Sequence, residues 1–424
     1  MVYSFSIIIL IIFLSISTLQ QPTNRDYNDN WKEGSKLGKE FLKTHDSVTL
    51  NPILIMPGLA GTKLQAELKD FKSKYWFCKE NEDWFRAWVA VDRLVPELIE
   101  CWIEMLSVEF NSTTQKVHSP KGATVRPVTG SAGISDLDPE LWFITGYFAK
   151  MIAAFEELGY IEGKNMFPMP FDWRLAPFNL TSYLVWVKDT IEYAYKINGN
   201  TSVVIVTHSM GGSLFVYLAS QLSTEWKQKY IAKFIPISPA WGGVISSVRS
   251  LNDGFNLGIP FIIPSDVAPL ERTLPSIYYF LPNGRWWKDP VVTSPSKNYY
   301  PTIDQYHEMI TELGLEESAH ILLNLTYESA AVFDAPQVPT HILYGTNVKT
   351  PICVNFKDKI GGDYDLTYGN GDGTCNHDVV ITACSEWPQN QKEIVTCQGF
   401  DGIEHTFSVE HDEIINAVLG FITQ

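Results

Sequence analysis

A serine on a sharp strand-to-helix turn, followed later in the chain by a carboxylate and a histidine, can transfer an acyl group through a covalent ester. The sequence contains such a set. Thr207-His208-Ser209-Met210-Gly211 closes the apolar run 202–207 and opens a stretch in which Leu214, Phe215, Tyr217, Leu218 and Leu222 recur at helical spacing. This is nearly the G-x-S-x-G elbow that lifts a nucleophile above a sheet, with Thr207 in place of the first glycine, a substitution expected to crowd the turn. Asp372 lies in the glycine-rich loop 368–374, beyond a strand expected at 341–344, and His405 follows the last expected strand and precedes the last helix. In this reading His405 takes the Ser209 proton and later delivers it to the leaving alcohol, while Asp372 fixes the imidazole tautomer.

Each position has a competing reading. Asp372 would also suit a turn, and the oxygens of Asn370, Asp372, Thr374, Asn376 and Asp378 resemble a calcium loop. That pattern fails where Cys375 replaces the required glycine and Ile381 the bidentate glutamate. His411 rivals His405 as base but is expected inside the final helix. Cys375 and His377 are too few and too close for zinc, so no metal is expected. A tetrahedral oxygen needs two N–H donors. Met210, after the nucleophile, supplies one and Leu59, in Pro57-Gly58-Leu59-Ala60-Gly61-Thr62, the other.

The elements that must position these residues are short apolar runs ending in turn residues. Residues 53–56 stop at Pro57-Gly58, and further runs lie at 202–207, 234–237, 341–344 and 393–396, with an amphipathic helix carrying Ile414, Ile415, Val418 and Phe421 at the end. Strands alternating with helices imply an α/β fold with a parallel, doubly covered sheet. Two stretches break the alternation: the Trp- and Phe-dense residues 71–110, and residues 241–335. Both are read as insertions at the carboxyl end of the sheet.

With 424 residues, 45% hydrophobic and 13% aromatic, the chain can bury a large core. A net charge of −16 argues against nucleic acid and against electrostatic recruitment to anionic membranes, which leaves apolar and aromatic contact as the route to lipid. The apolar stretch 5–16 is shorter than the about 20 residues of a span and reads as part of a signal peptide over 1–20. Six cysteines then favour disulfides over free thiols, with Cys78–Cys101 the most economical first pair and Cys353, Cys375, Cys384 and Cys397 left open. Sequons at Asn111, Asn179, Asn200 and Asn324 fit a lumenal or extracellular protein.

Several long motifs in order resemble the lecithin:cholesterol acyltransferase and lysosomal phospholipase A2 family: Ile55-Met56-Pro57-Gly58-Leu59-Ala60-Gly61, Cys101-Trp102-Ile103, Phe171-Asp172-Trp173-Arg174-Leu175-Ala176-Pro177, His208-Ser209-Met210-Gly211, Pro239-Ala240-Trp241-Gly242-Gly243-Val244, Gly371-Asp372-Gly373-Thr374 and Glu404-His405. The resemblance implies an α/β-hydrolase domain over 21–424. It places Ser209, Asp372 and His405 on the family triad and Leu59 and Met210 on its oxyanion hole. It implies a disulfide-closed membrane-binding subdomain at 71–110, with Trp76, Phe77, Trp84, Phe85 and Trp88 entering the interface, and a cap or lid at 241–335. Asp172 and Arg174 match a buried structural pair. Leu59 stands where lysosomal members carry Asp and the plasma enzyme Cys, so this position gives no indication of pH optimum. The implied activity is a secreted or lysosomal serine phospholipase and O-acyltransferase without cofactor. Such a protein would be a monomer working on a phospholipid membrane or lipoprotein surface, with a lipid alcohol as acceptor. The alternatives are a sterol-directed acyltransferase, a neutral-glyceride lipase and a catalytically silent lipid-binding protein.

Overall fold

The computed structural model describes residues 36–45, 49–90, 98–138, 145–256 and 262–423. The signal peptide expected over 1–20 lies outside these residues. The apolar runs form a six-stranded sheet from β1 (Ile53–Met56), β5 (Met166–Pro168), β6 (Val203–His208), β7 (Ile231–Ile237), β8 (Thr340–Thr346) and β11 (Val395–Asp401), in the order β11-β8-β7-β6-β1-β5. Every pairing is parallel.

Both faces of this sheet are covered, which explains why its strands read as continuous apolar runs rather than alternating ones. Strand periodicity sends Leu54, Met56, Val203 and Ile205 to one face, where α3 (Thr181–Ile197) and α4 (Met210–Ser220) pack. Ile53, Ile55, Val204 and Val206 point to the other, against α2 (Ala149–Leu158) and α9 (Asp412–Ile422). All eight of these strand side chains are buried, and each stabilises the fold by about 1.5–3 kcal/mol.

The first insertion leaves the sheet between β1 and β5. It contains β2 (Leu64–Leu68), β3 (Glu82–Trp88), α1 (Ile99–Leu106) and β4 (Ala123–Pro127), with β3-β2-β4 forming an antiparallel sheet. The disulfide Cys78–Cys101 joins the segment before β3 to α1. The second insertion, between β7 and β8, is mainly helical and includes α5 (Ile245–Asn252), α6 (Pro264–Glu271) and α7 (Ile303–Glu312). A feature absent from the sequence reading follows β8, where β9 (Val348–Phe356) and β10 (Tyr364–Gly371) form an antiparallel hairpin that delivers Asp372.

The cysteine expectation is corrected in part. Cys384 pairs with Cys397, linking α8 (Thr382–Asn390) to β11, whereas Cys353 and Cys375 are free thiols inside the protein. Both are buried where the neutral thiol packs as a small hydrophobe.

Candidate active site

Ser209, Asp372 and His405 lie beyond the carboxyl ends of β6, β10 and β11, and their side chains meet. His405 Nδ1–H donates to Asp372 Oδ2 at 2.8 Å, and His405 Nε2 lies 3.0 Å from Ser209 Oγ. Asp372 is fixed in turn, its Oδ1 accepting from the N–H groups of Thr374 at 3.0 Å and Cys375 at 2.7 Å. The turn role and the triad role therefore coexist, one carboxylate oxygen serving each. His411, the rival base, stands at the N-cap of α9 rather than within the helix, and makes no bond to Ser209 among the described residues.

Ser209 has φ +51°, a conformation an L-residue adopts only under tertiary constraint. The constraint is steric: a Cβ on Gly211 would lie 2.4 Å from the Met56 carbonyl oxygen and 2.6 Å from that of Pro57, so only glycine lets α4 start beneath β1. The crowding expected from Thr207 is absorbed by a second glycine. A Cβ on Gly212 would stand 3.3 Å from Thr207 Oγ1, and the bare Gly212 leaves room for that hydroxyl. The signal for this compensation was the Gly211-Gly212 pair.

The N–H groups of Leu59 and Met210 have no protein acceptor among the described residues, Met210 being the first residue of α4 and so outside the intrahelical ladder. Leu59 and Ser209 share a cavity of ≈ 100 Å³ with His405, Thr374 and, from the cap, Val244, Ser250, Phe255 and Phe280. Leu59, Ser209 and His405 thus border one space, and the free Met210 N–H follows Ser209 directly in the chain.

Residues missed by sequence reasoning hold this loop. Gly58 N–H donates to Tyr147 Oη at 2.8 Å, and Trp88 Nε1–H donates to the Ala60 carbonyl at 2.7 Å. Trp88 is consequently corrected: expected at a lipid interface, it is 0% exposed and packs against Trp102 and Trp173. Phe85 is also corrected, packing half-buried on the core. Trp84 is 36% exposed with the Arg126 guanidinium 3.6 Å above its ring. Trp76, 94% exposed, and the exposed Phe77 remain as an apolar tip beside Cys78. Arg174 is buried and holds Asp172 through two hydrogen bonds, of 2.9 and 2.7 Å, while donating to the Leu106 carbonyl at 3.0 Å, so the pair ties the first insertion to the domain. Asn111, Asn200 and Asn324 are exposed, whereas Asn179 is half-buried.

Asp372, Cys375 and His405 form a group with donor atoms within 4.8 Å of one another. Hydrogen bonding within the triad and from the loop backbone already accounts for the carboxylate and the imidazole.

The family model for lecithin:cholesterol acyltransferase matches residues 84–312. The lysosomal phospholipase A and acyltransferase of Canis lupus familiaris is 32% identical over 84% of this chain and 87% of its own length, and that of Homo sapiens is 32% identical over 84% and 86%. The phosphatidylcholine-sterol acyltransferase of Gallus gallus is 28% identical over 84% and 86%. Among solved structures, the Tle4-Tli4 complex contains a chain that superposes with a TM-score of 0.55 at 13% identity, covering 89% of this chain and 98% of that one, a likeness of fold.

Proposed function

The chain belongs to the lecithin:cholesterol acyltransferase family, and from that premise we propose that it is a serine phospholipase and O-acyltransferase acting on glycerophospholipids. The observation that carries the reading is the continuous Ser209–His405–Asp372 hydrogen-bond chain, with the N–H groups of Leu59 and Met210 left without a protein acceptor among the described residues. Ser209 Oγ attacks the carbonyl carbon of a fatty-acyl ester as its proton passes to His405 Nε2, and Asp372 stabilises the resulting imidazolium. The tetrahedral oxygen accepts from Leu59 and Met210 N–H. Collapse breaks the ester bond, and His405 protonates the leaving lysophospholipid oxygen. Water or a lipid alcohol then gives its proton to His405 and attacks the acyl-Ser209, releasing a fatty acid or an acylated alcohol. Hydrolysis and transfer differ only in that acceptor.

The ≈ 100 Å³ cavity is below the roughly 300–1,000 Å³ typical of ligand sites. Val244, Phe255, Ile277 and Phe280 give it an apolar wall suited to an acyl chain. The exposed Trp76–Phe77 tip supports contact with a phospholipid surface by apolar insertion. No helix among the described residues is long and apolar enough to cross a membrane. The relatives' names and the two disulfides support a lysosomal or extracellular location.

Phosphatidylcholine liposomes carrying a lipid alcohol, sampled across pH 4 to 8, test the reading. Lysophospholipid, free fatty acid and acylated alcohol should all appear and all vanish in Ser209→Ala. Sterol ester as the sole transfer product would move the protein to the sterol-directed class.

A further inference from the structure

His208 precedes the nucleophile yet takes no part in the chemistry above, and it is buried at the centre of a hydrogen-bonded relay. Gly58 N–H donates to Tyr147 Oη at 2.8 Å, Tyr147 O–H donates to His208 Nδ1 at 2.5 Å, and His208 Nε2–H donates to the His405 carbonyl at 3.1 Å. Beyond that carbonyl, which Ser408 Oγ–H also reaches at 2.7 Å, the His405 N–H donates to the Asp372 carbonyl at 2.8 Å. Two side chains thus join the stretches carrying the oxyanion loop, the elbow and the base, and a main-chain bond adds the stretch carrying the acid.

We propose that Tyr147 and His208 are positioning residues that lock the Leu59 oxyanion donor in register with the catalytic base. The inference rests on the serine-acyltransferase reading above and deepens it. Leu59 is bonded directly to Gly58, so the tilt of its N–H follows the anchor that Tyr147 gives Gly58. Packing reinforces the anchor: a Cβ on Gly61 would lie 2.6 Å from the Tyr147 ring, and one on Gly58 2.8 Å from Ser209 Cβ. The loop is thus pressed against both the phenol and the nucleophile.

The charge state of His208 matters as well. Its ring centroid lies 4.8 Å from that of His405, so a second cation there would oppose the imidazolium that forms during turnover. Burial, with the nearby His405 contributing, holds His208 well below the ordinary histidine range. A neutral ring with its one N–H committed to a carbonyl leaves Nδ1 as an acceptor, which fixes the direction of the whole relay.

The test compares Tyr147→Phe and His208→Gln with the wild type on a soluble short-chain ester. A misplaced donor leaves ground-state binding intact and weakens only the transition state. Each variant should lose about 10- to 100-fold in kcat with KM nearly unchanged. Its affinity for a tetrahedral boronate analogue should fall by a similar factor. Because both changes cut one relay, the double variant should lose little more than the worse single variant. Thermal melting identifies any variant that has merely unfolded, and the other then decides. Wild-type kcat and boronate affinity in a folded variant, or a loss confined to KM, overturns the proposal. Fluorophosphonate labelling of wild-type Ser209 separately tests the underlying reading: absence of label would sink that reading, whereas label with unaffected variants would sink only the relay.

Discussion

At the scale of single residues, the site depends on close approaches that few side chains permit. Gly211 is the sharpest case, since the atoms its Cβ would meet are backbone oxygens of Met56 and Pro57, which cannot rotate away. Gly211→Ala should therefore cost about 1–3 kcal/mol of stability. By pushing Pro57–Leu59 aside it should also reduce kcat by at least about tenfold, readable by thermal melting and ester turnover. Cys375 gives the opposite expectation. Its Sγ lies 3.6 Å from His405 Nδ1, but burial raises its thiol pKa and denies reagents access. Iodoacetamide at neutral pH should leave activity intact and Cys375 unmodified by peptide mapping; rapid inactivation would show that the triad region opens readily. The convergence of Ser209, Asp372 and His405 was legible because acyl-transfer chemistry needs turn residues at the ends of apolar runs. Tyr147 was not legible, because its role arises from contacts with Gly58 and His208, respectively 89 and 61 residues away in sequence.

At the scale of elements, the parallel strands announced themselves through apolar runs, and the final helix through its periodicity. The β9–β10 hairpin did not, because its exposed face is polar and its register is set by pairing across the hairpin. The segment 71–110 shows why a cluster of aromatics is a poor guide to exposure. Trp88 and Trp76 are both tryptophans of one insertion, yet one bonds the oxyanion loop and the other faces solvent. Trp88→Ala should cost about 3–5 kcal/mol and lower turnover of even a soluble ester. In the cap, Glu271 of α6 accepts from Ser250 Oγ at 3.0 Å and from Phe255 N–H at 2.8 Å, and burial pushes its carboxyl up to about 8, with Arg249 and Asp253 facing it. A raised acid is neutral in the fold while the unfolded chain ionises near 4.5. Its contribution to stability is thus full below that pH and lost as pH rises toward about 8. The melting temperature of Glu271→Gln relative to wild type should climb over that window; a flat difference would show that Glu271 is solvated in solution.

At the scale of the whole molecule, the −16 charge and the aromatic tip make a joint statement about lipid contact. Association driven by apolar insertion should be nearly insensitive to salt, whereas electrostatic docking is screened. Trp76→Ala should weaken sedimentation with phosphatidylcholine liposomes while sparing short-chain ester turnover; equal loss of both would place Trp76 in the fold rather than at the interface. The ends of the strands bring Ser209, Asp372, His405 and Leu59 together, and residues of the second insertion line the cavity they share. The central claim is that phospholipid turnover passes through an ester on Ser209. The most direct measurement is mass spectrometry of the peptide containing Ser209 after acid-quenching the protein during steady-state turnover of phosphatidylcholine liposomes. A mass increase of one fatty-acyl group on Ser209, absent from Ser209→Ala, is the predicted result. Sustained lysophospholipid production by Ser209→Ala at the wild-type rate would contradict it.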